Sequence, residues 1–207
     1  TTGGAWTTAA NWNPSGVPVA GDDVIISSDQ SANITTIPTI TLNSLTISGT
    51  CTWAAAASGN TVTITTSMSI ASGKTLTLGI TGGRIVFTLN GTATINGNFA
   101  FDAGTATRNF TINSGATLNV TSTGQVYDPA LSAGSVFILN SGATLKTAKT
   151  GGISTGITTD ATVAVNFGGS YTYSTGANYE YDGTSAQVTG NGLTQNTPAN
   201  VDRKSVV

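Results

Sequence analysis

Apolar and polar residues alternate along most of this chain. Val62, Ile64, Met68 and Ile70 open the clearest series, followed by Leu76, Leu78 and Ile80. Phe87 and Leu89, Phe99 and Phe101, Phe110 and Ile112, and Leu118 and Val120 continue it. Thr, Ser or Asn fills most positions between them. Neighbouring residues of a strand point to opposite faces, so a period of two with one polar face predicts short strands packed on one side. The one candidate for helix, Trp53 to Ala57, is too short to hold one.

The strands recur. The segment from Phe110 to Leu118 (Phe-Thr-Ile-Asn-Ser-Gly-Ala-Thr-Leu) returns 27 residues later, from Phe137 to Leu145, as Phe-Ile-Leu-Asn-Ser-Gly-Ala-Thr-Leu. Met68 to Leu76 fits the same template, and Phe87 to Ile95 fits it with one deletion. Val163 to Tyr171 keeps the glycine and the final apolar position, and Ile40 to Leu45 keeps only the strand. The starts at 40, 68, 87, 110, 137 and 163 are separated by 28, 19, 23, 27 and 26 residues. Repeats of that size mark a solenoid. The expected fold is all-β, a single parallel β-helix of about six or seven coils, right-handed by the usual crossover preference. Phe110, Ile112 and Leu118 should stack on Phe137, Leu139 and Leu145. Gly73, Gly91, Gly115, Gly142 and Gly168 fall where a coil turns its corner, and the Asn before many of them predicts an asparagine ladder along the stack.

Three segments follow from this. Residues 1–23 read as an N-terminal cap, 24–190 as the β-helix and 191–207 as a tail or the start of a following module. A terminal coil exposes apolar core and an unpaired edge unless something covers it. Trp6 and Trp12, set among turn residues, suit that role; their alternative is a sugar-stacking platform. Tyr171, Tyr173, Tyr179 and Tyr181 form two alternating pairs, close together if 163 and 179 start adjacent coils. They read as an aromatic stack of the terminal coil or as a carbohydrate platform. After Gly190 little apolar surface remains, so the C-terminal end is the expected seat of a neighbouring coil. That coil belongs to a longer stalk or to a second copy stacked head to tail, an arrangement that makes open filaments.

Charged residues are 8% of the chain, against about 25% for an ordinary domain. The surface must therefore be made polar by Thr, Ser, Asn and Gly. A net charge of −2 offers no basic patch for nucleic acid or anionic lipid. Lys146 and Lys149 read as two solvated loop lysines. No apolar run reaches the roughly 18 residues of a membrane span, so no membrane insertion is expected. The chain has no histidine, which removes the usual general base and histidine-ligated metals. Its single cysteine, Cys51, reads as a small buried hydrophobe. No cofactor or metal site is expected. The chain opens without an initiator Met, which suits a processed protein, and its composition looks extracellular and bacterial.

The opening from Trp6 to Ile26, with Trp12, Pro14, Pro18 and the Gly21-Asp22-Asp23 turn, resembles that of repetitive β-helical secreted surface proteins and adhesins of Bacteroidota-type bacteria. It is more loosely similar to autotransporter passenger domains. The segment Tyr179 to Gly190 resembles one that recurs in the same proteins. The resemblance implies a secreted, surface-attached stalk or adhesive module and carries over no catalytic residue.

The expectation is therefore an extracellular structural or adhesive β-solenoid, able to form homo-oligomers or filaments and to meet a glycan, and not an enzyme. Two alternatives stand beside it. A carbohydrate-binding or polysaccharide-degrading β-helix needs converging acids. The best alignments are Asp102 with Asp128 and Arg84 with Arg108, each about one coil apart. An ice-binding solenoid needs Thr-x-Thr pairs in rank. They occur at 39–41, 50–52, 61–63, 63–65, 75–77, 92–94 and 105–107, but coils of 19 to 28 residues argue against a constant rank.

Overall fold

The computed structural model describes residues 3–57, 59–79, 84–102, 108–128, 134–154, 162–167, 170–191 and 200–203. It is an all-β solenoid of about six turns, made of a seven-stranded and a twelve-stranded parallel sheet. Three faces surround one core, and from Ile34 to Tyr181 the described strands visit them in the same order in each turn. Face 1 is the smaller sheet: Gly4–Ala5, Ile34–Ile37, Cys51–Ala55, Thr75–Leu78, Asn98–Phe101, Gln125–Tyr127 and Val165–Asn166. The larger sheet bends into two faces. Ile40–Ile47 and Asn60–Ile70 run along face 2, turn a corner and continue along face 3. Ile85–Leu89, Arg108–Ile112, Ser135–Leu139 and Ser170–Tyr173 complete face 2. Asp23–Ile26, Thr92–Ile95, Thr117–Val120, Thr144–Thr147, Asn178–Tyr181 and Asn200–Arg203 complete face 3. No α-helix occurs among the described residues, and Trp53 to Ala55 is strand.

The alternation works as the sequence predicts: inward residues form apolar columns along the stack. Phe110 faces Phe137, Ile112 faces Leu139 and Leu118 faces Leu145, all at most 1% exposed. Polar columns run beside them. Asn113 donates to Asn90 Oδ1 at 2.7 Å and Asn140 to Asn113 Oδ1 at 3.1 Å, which is the expected asparagine ladder. The corner glycines stack as well. Gly115, at φ +82°, donates its N–H to Gly142 O, and Gly142 to Gly176 O. A residue with a Cβ is strained in that left-handed region.

The phase of two repeats differs from the sequence reading. The face 2 column runs Ile40, Val62, Phe87, Phe110, Phe137 and Tyr171. Its separations are 22, 25, 23, 27 and 34 residues, so the apparent 19-residue coil disappears. Met68 belongs to face 3, between Leu45 and Ala93, and Val165 belongs to face 1. The ends also differ. Gly4–Ala5, in the cap segment, already pairs with Ile34–Thr35 on face 1. Asn200–Arg203, in the tail segment, adds a strand beside Asn178–Tyr181. Ile80, Thr105, Thr107, Gly168 and Leu193 lie outside the described residues.

Candidate functional site

The aromatic residues at the two ends pack mostly inward. Trp6 is fully buried, edge-on to Trp12 at 4.8 Å and to Trp53 at 5.6 Å. Trp12 is half-buried, and its indole N–H donates to Trp6 O at 2.8 Å. Trp6 therefore closes the first coil, with Trp12 folded over it. Beside them, Trp12, Pro14, Asp23 and Ile25 help line a cleft of about 510 Å³.

The four tyrosines lie in one coil rather than two. Tyr171 and Tyr173 are on face 2, and Tyr179 and Tyr181 follow on face 3. Tyr173 meets Tyr179 at 6.4 Å and Phe137 at 5.7 Å. Tyr173, Tyr179 and Tyr181 are at most 3% exposed, and a ring enclosed on both sides offers no platform to a sugar. Tyr171, in the same inward column as Phe137, is half-buried at the end of the stack.

The Tyr181 hydroxyl donates to Thr189 O at 2.9 Å, whereas those of Tyr173 and Tyr179 have no partner among the described residues. Burial pushes the Tyr179 phenol up to about 12 and that of Tyr173 well above its ordinary value. A phenol whose pKa is higher folded than unfolded keeps its full contribution below the unfolded value of about 10 and loses it as pH rises toward the folded value. Stability should thus fall between about pH 10 and about pH 12. Tyr179→Phe should flatten that decline, as measured by thermal unfolding across an alkaline series.

The acid and base alignments miss by one residue. Asn98, Phe99 and Ala100 face Gln125, Val126 and Tyr127, so the next step sets Phe101, not Asp102, opposite Asp128. A slip of one reverses the face. Asp128 is fully buried and Asp102 only partly so. Arg108 is likewise aligned with the column of Ile85, one place from exposed Arg84, and is itself fully buried.

The result is an internal charge cluster that the sequence reading did not identify. Arg108 faces Ser135 across the sheet, donates through Nη1 to Asp102 O and lies 5.9 Å from the centre of the Phe101 ring. Ser135 donates to Asp128 Oδ2 at 2.6 Å. Burial lowers the Arg108 pKa, and the carboxylates of Asp128 and Asp102 oppose the shift. Period two contained the signal. Arg108 and Ser135 stand two residues before Phe110 and Phe137, and Asp128 two after Val126, all in the inward phase.

The remaining charges are structural in their contacts. Lys146 is a strand residue rather than a free loop lysine: it bridges Glu180 at 2.7 Å and Asp182 at 3.0 Å, which raise its pKa. Lys149 is buried. Cys51 is also buried, and burial lifts its thiol to about 12, far from a reactive thiolate. Among the described residues, no group of three or more His, Cys, Asp or Glu could hold a metal ion.

The outward surface is more ordered than the coil lengths suggested. Thr50-x-Thr52 and Thr75-x-Thr77 pair on face 1, and Thr92-x-Thr94 lies on face 3. On face 2, one outward column runs Thr41, Thr63, Thr88, Thr111, Ile138 and Thr172 without a slip. Thr61, Val86, Asn109, Val136 and Ser170 form the column beside it. Loops absorb the differences in coil length. No protein-family model, curated protein or solved structure matches the chain.

Proposed function

We propose that this chain is an extracellular structural and adhesive module, a stiff segment of a bacterial cell-surface stalk that stacks head to tail. The observation that carries the reading is the unbroken parallel pairing of strands around one core over about six turns. Each turn contacts only its neighbours, so such a stack extends along one axis by adding further turns. Among the described residues, Ser170–Tyr173 is the last strand of face 2 at the C-terminal end, whereas on face 1 Val165 is covered by a parallel bridge to Ile153. The outer edge of Ser170–Tyr173 is a template for another strand, and a heterologous contact there generates filaments.

The low charge and hydroxyl-rich faces suit contact with neutral partners. A glycan would meet hydroxyls and amides, with Trp12, Tyr127 and Tyr171 among the partly exposed rings. A polysaccharide-cleaving reading loses its main support, because Asp102 and Asp128 belong to opposite phases of their strands. Sedimentation over a concentration series, with electron microscopy of the same samples, tests the stacking. Rods whose length grows with concentration are expected. A strictly monomeric profile at high concentration would overturn head-to-tail assembly.

A further inference from the structure

We infer that the outer surface of face 2 is an ice-binding face, whose ligand is the ordered water of an ice plane. The two outward columns form a two-dimensional lattice. Neighbouring rungs of a parallel sheet lie about 4.8 Å apart and alternate residues of one strand about 6.6 Å apart. Both distances are of the order of the oxygen repeats in planes of hexagonal ice. The register carries the first column through six rungs, from Thr41 to Thr172, and the second through five, from Thr61 to Ser170, without a shift.

The first column is nearly uniform in chemistry, and the second mixes Thr61, Val86, Asn109, Val136 and Ser170. Thr41, Thr63, Thr88, Thr111 and Thr172 each present a hydroxyl and a methyl group. Val86, Val136 and Ile138 keep the methyl group where the hydroxyl is missing. The five threonine hydroxyls have no hydrogen bond to any described residue, although many other surface hydroxyls do. Thr65 donates to Leu42 O, Thr66 to Asn43 Oδ1, Thr121 to Ile95 O and Thr123 to Asn96 O. Face 2 thus keeps free hydroxyls where the corners use theirs internally.

Charge separates this face from its neighbour. Neither outward column contains a charged residue, with Arg84 standing only at the corner before Ile85–Leu89. Face 3 carries Asp23, Lys146, Glu180 and Asp202 along its outward columns. A nucleic acid would require lysine or arginine on the surface. A protein interface core favours aromatics and arginine, and a sugar platform needs exposed rings. Face 2 has none of these in its outward columns. Fixing a first-shell water costs entropy when the water comes from the liquid. That cost is already met in a crystal, so a neutral lattice of hydroxyl and methyl groups gains most against ice.

The experiment grows ice slowly through a solution of the full chain and an inert protein of similar size. The ratio of protein in ice to protein in liquid is then measured. The chain should be enriched in ice, and Thr88→Lys and Thr111→Lys should each reduce it to the level of the inert protein. Thr94→Lys, on face 3, should leave enrichment unchanged. All three variants replace outward side chains, and their melting temperatures show whether the fold is retained; should one melt early, the other face 2 variant decides. Exclusion of the parent chain from ice, or full enrichment of a folded Thr88→Lys or Thr111→Lys variant, would overturn the inference. Neither result would touch the stacking tested by sedimentation.

Discussion

Arg108→Ala is expected to destabilise the protein by about 3–5 kcal/mol, the usual cost of removing one partner of a buried ion pair. For a chain of this size that corresponds to a melting point lower by roughly 6–20 °C. The reason is Asp128. Its carboxylate is fully buried, accepts a hydrogen bond from Ser135 and would lose the opposite charge that the guanidinium supplies. The Asp102 carbonyl would lose the donor that Arg108 supplies. Asp128→Ala should also destabilise, because it removes the larger of the two carboxylate interactions that offset burial of the arginine. The double variant Arg108→Met with Asp128→Leu should recover much of the loss, because apolar replacements of a buried pair are often neutral or better. Urea unfolding of the two single variants and the double completes the cycle. Parental stability in both single variants would show that water reaches the charges.

That cluster marks the boundary of what the chain reveals as a sequence. The fold was legible because Phe110 to Leu118 and Phe137 to Leu145 are near copies lying on the same two faces. Their register follows from identity alone. Met68 misled for a physical reason. Ser72-Gly73 turns the chain from face 3 to face 1, whereas Ser114-Gly115 turns it from face 2 to face 3. Both corners demand the same tight-turn chemistry, with φ of +71° and +82° at their glycines. The motif therefore announces a corner without saying which one. The Asp102 and Asp128 alignment failed similarly. Counting one coil fixes position to within a residue or two, and a single residue separates an outward acid from a buried one. The tyrosines were recognisable as a group, but their sharing of one coil depends on the corner between Tyr173 and Tyr179. The threonine lattice of face 2 was hidden by the same uncertainty of phase. Thr63 and Thr88 become neighbours only once Val62 replaces Met68 as the partner of Phe87.

Phe110→Ala and Phe137→Ala should each cost about 3–5 kcal/mol, the range for deleting a buried phenylalanine side chain. Both rings are fully buried in the middle of the face 2 column. Phe110 stacks on Phe99 at 4.3 Å with an interplanar angle of 14°, and meets Phe87 and Phe137 edge-on at 5.7 and 6.0 Å. Phe137 lies against Phe167 at 5.4 Å and Tyr173 at 5.7 Å. Each ring thus ties a rung to the rung on either side and to face 1 across the core. The strands around the cavity are held at a fixed rung spacing by ladder hydrogen bonds, so they have little freedom to collapse into it. The loss should approach the upper part of the range. Phe110→Leu keeps much of the volume and should recover most of it. The double variant Phe110→Ala with Phe137→Ala should depart from additivity, because the two cavities merge into one. Equilibrium unfolding of the four variants measures these differences. If both alanine variants melt within a degree or two of the parent, the column is not the support of the stack.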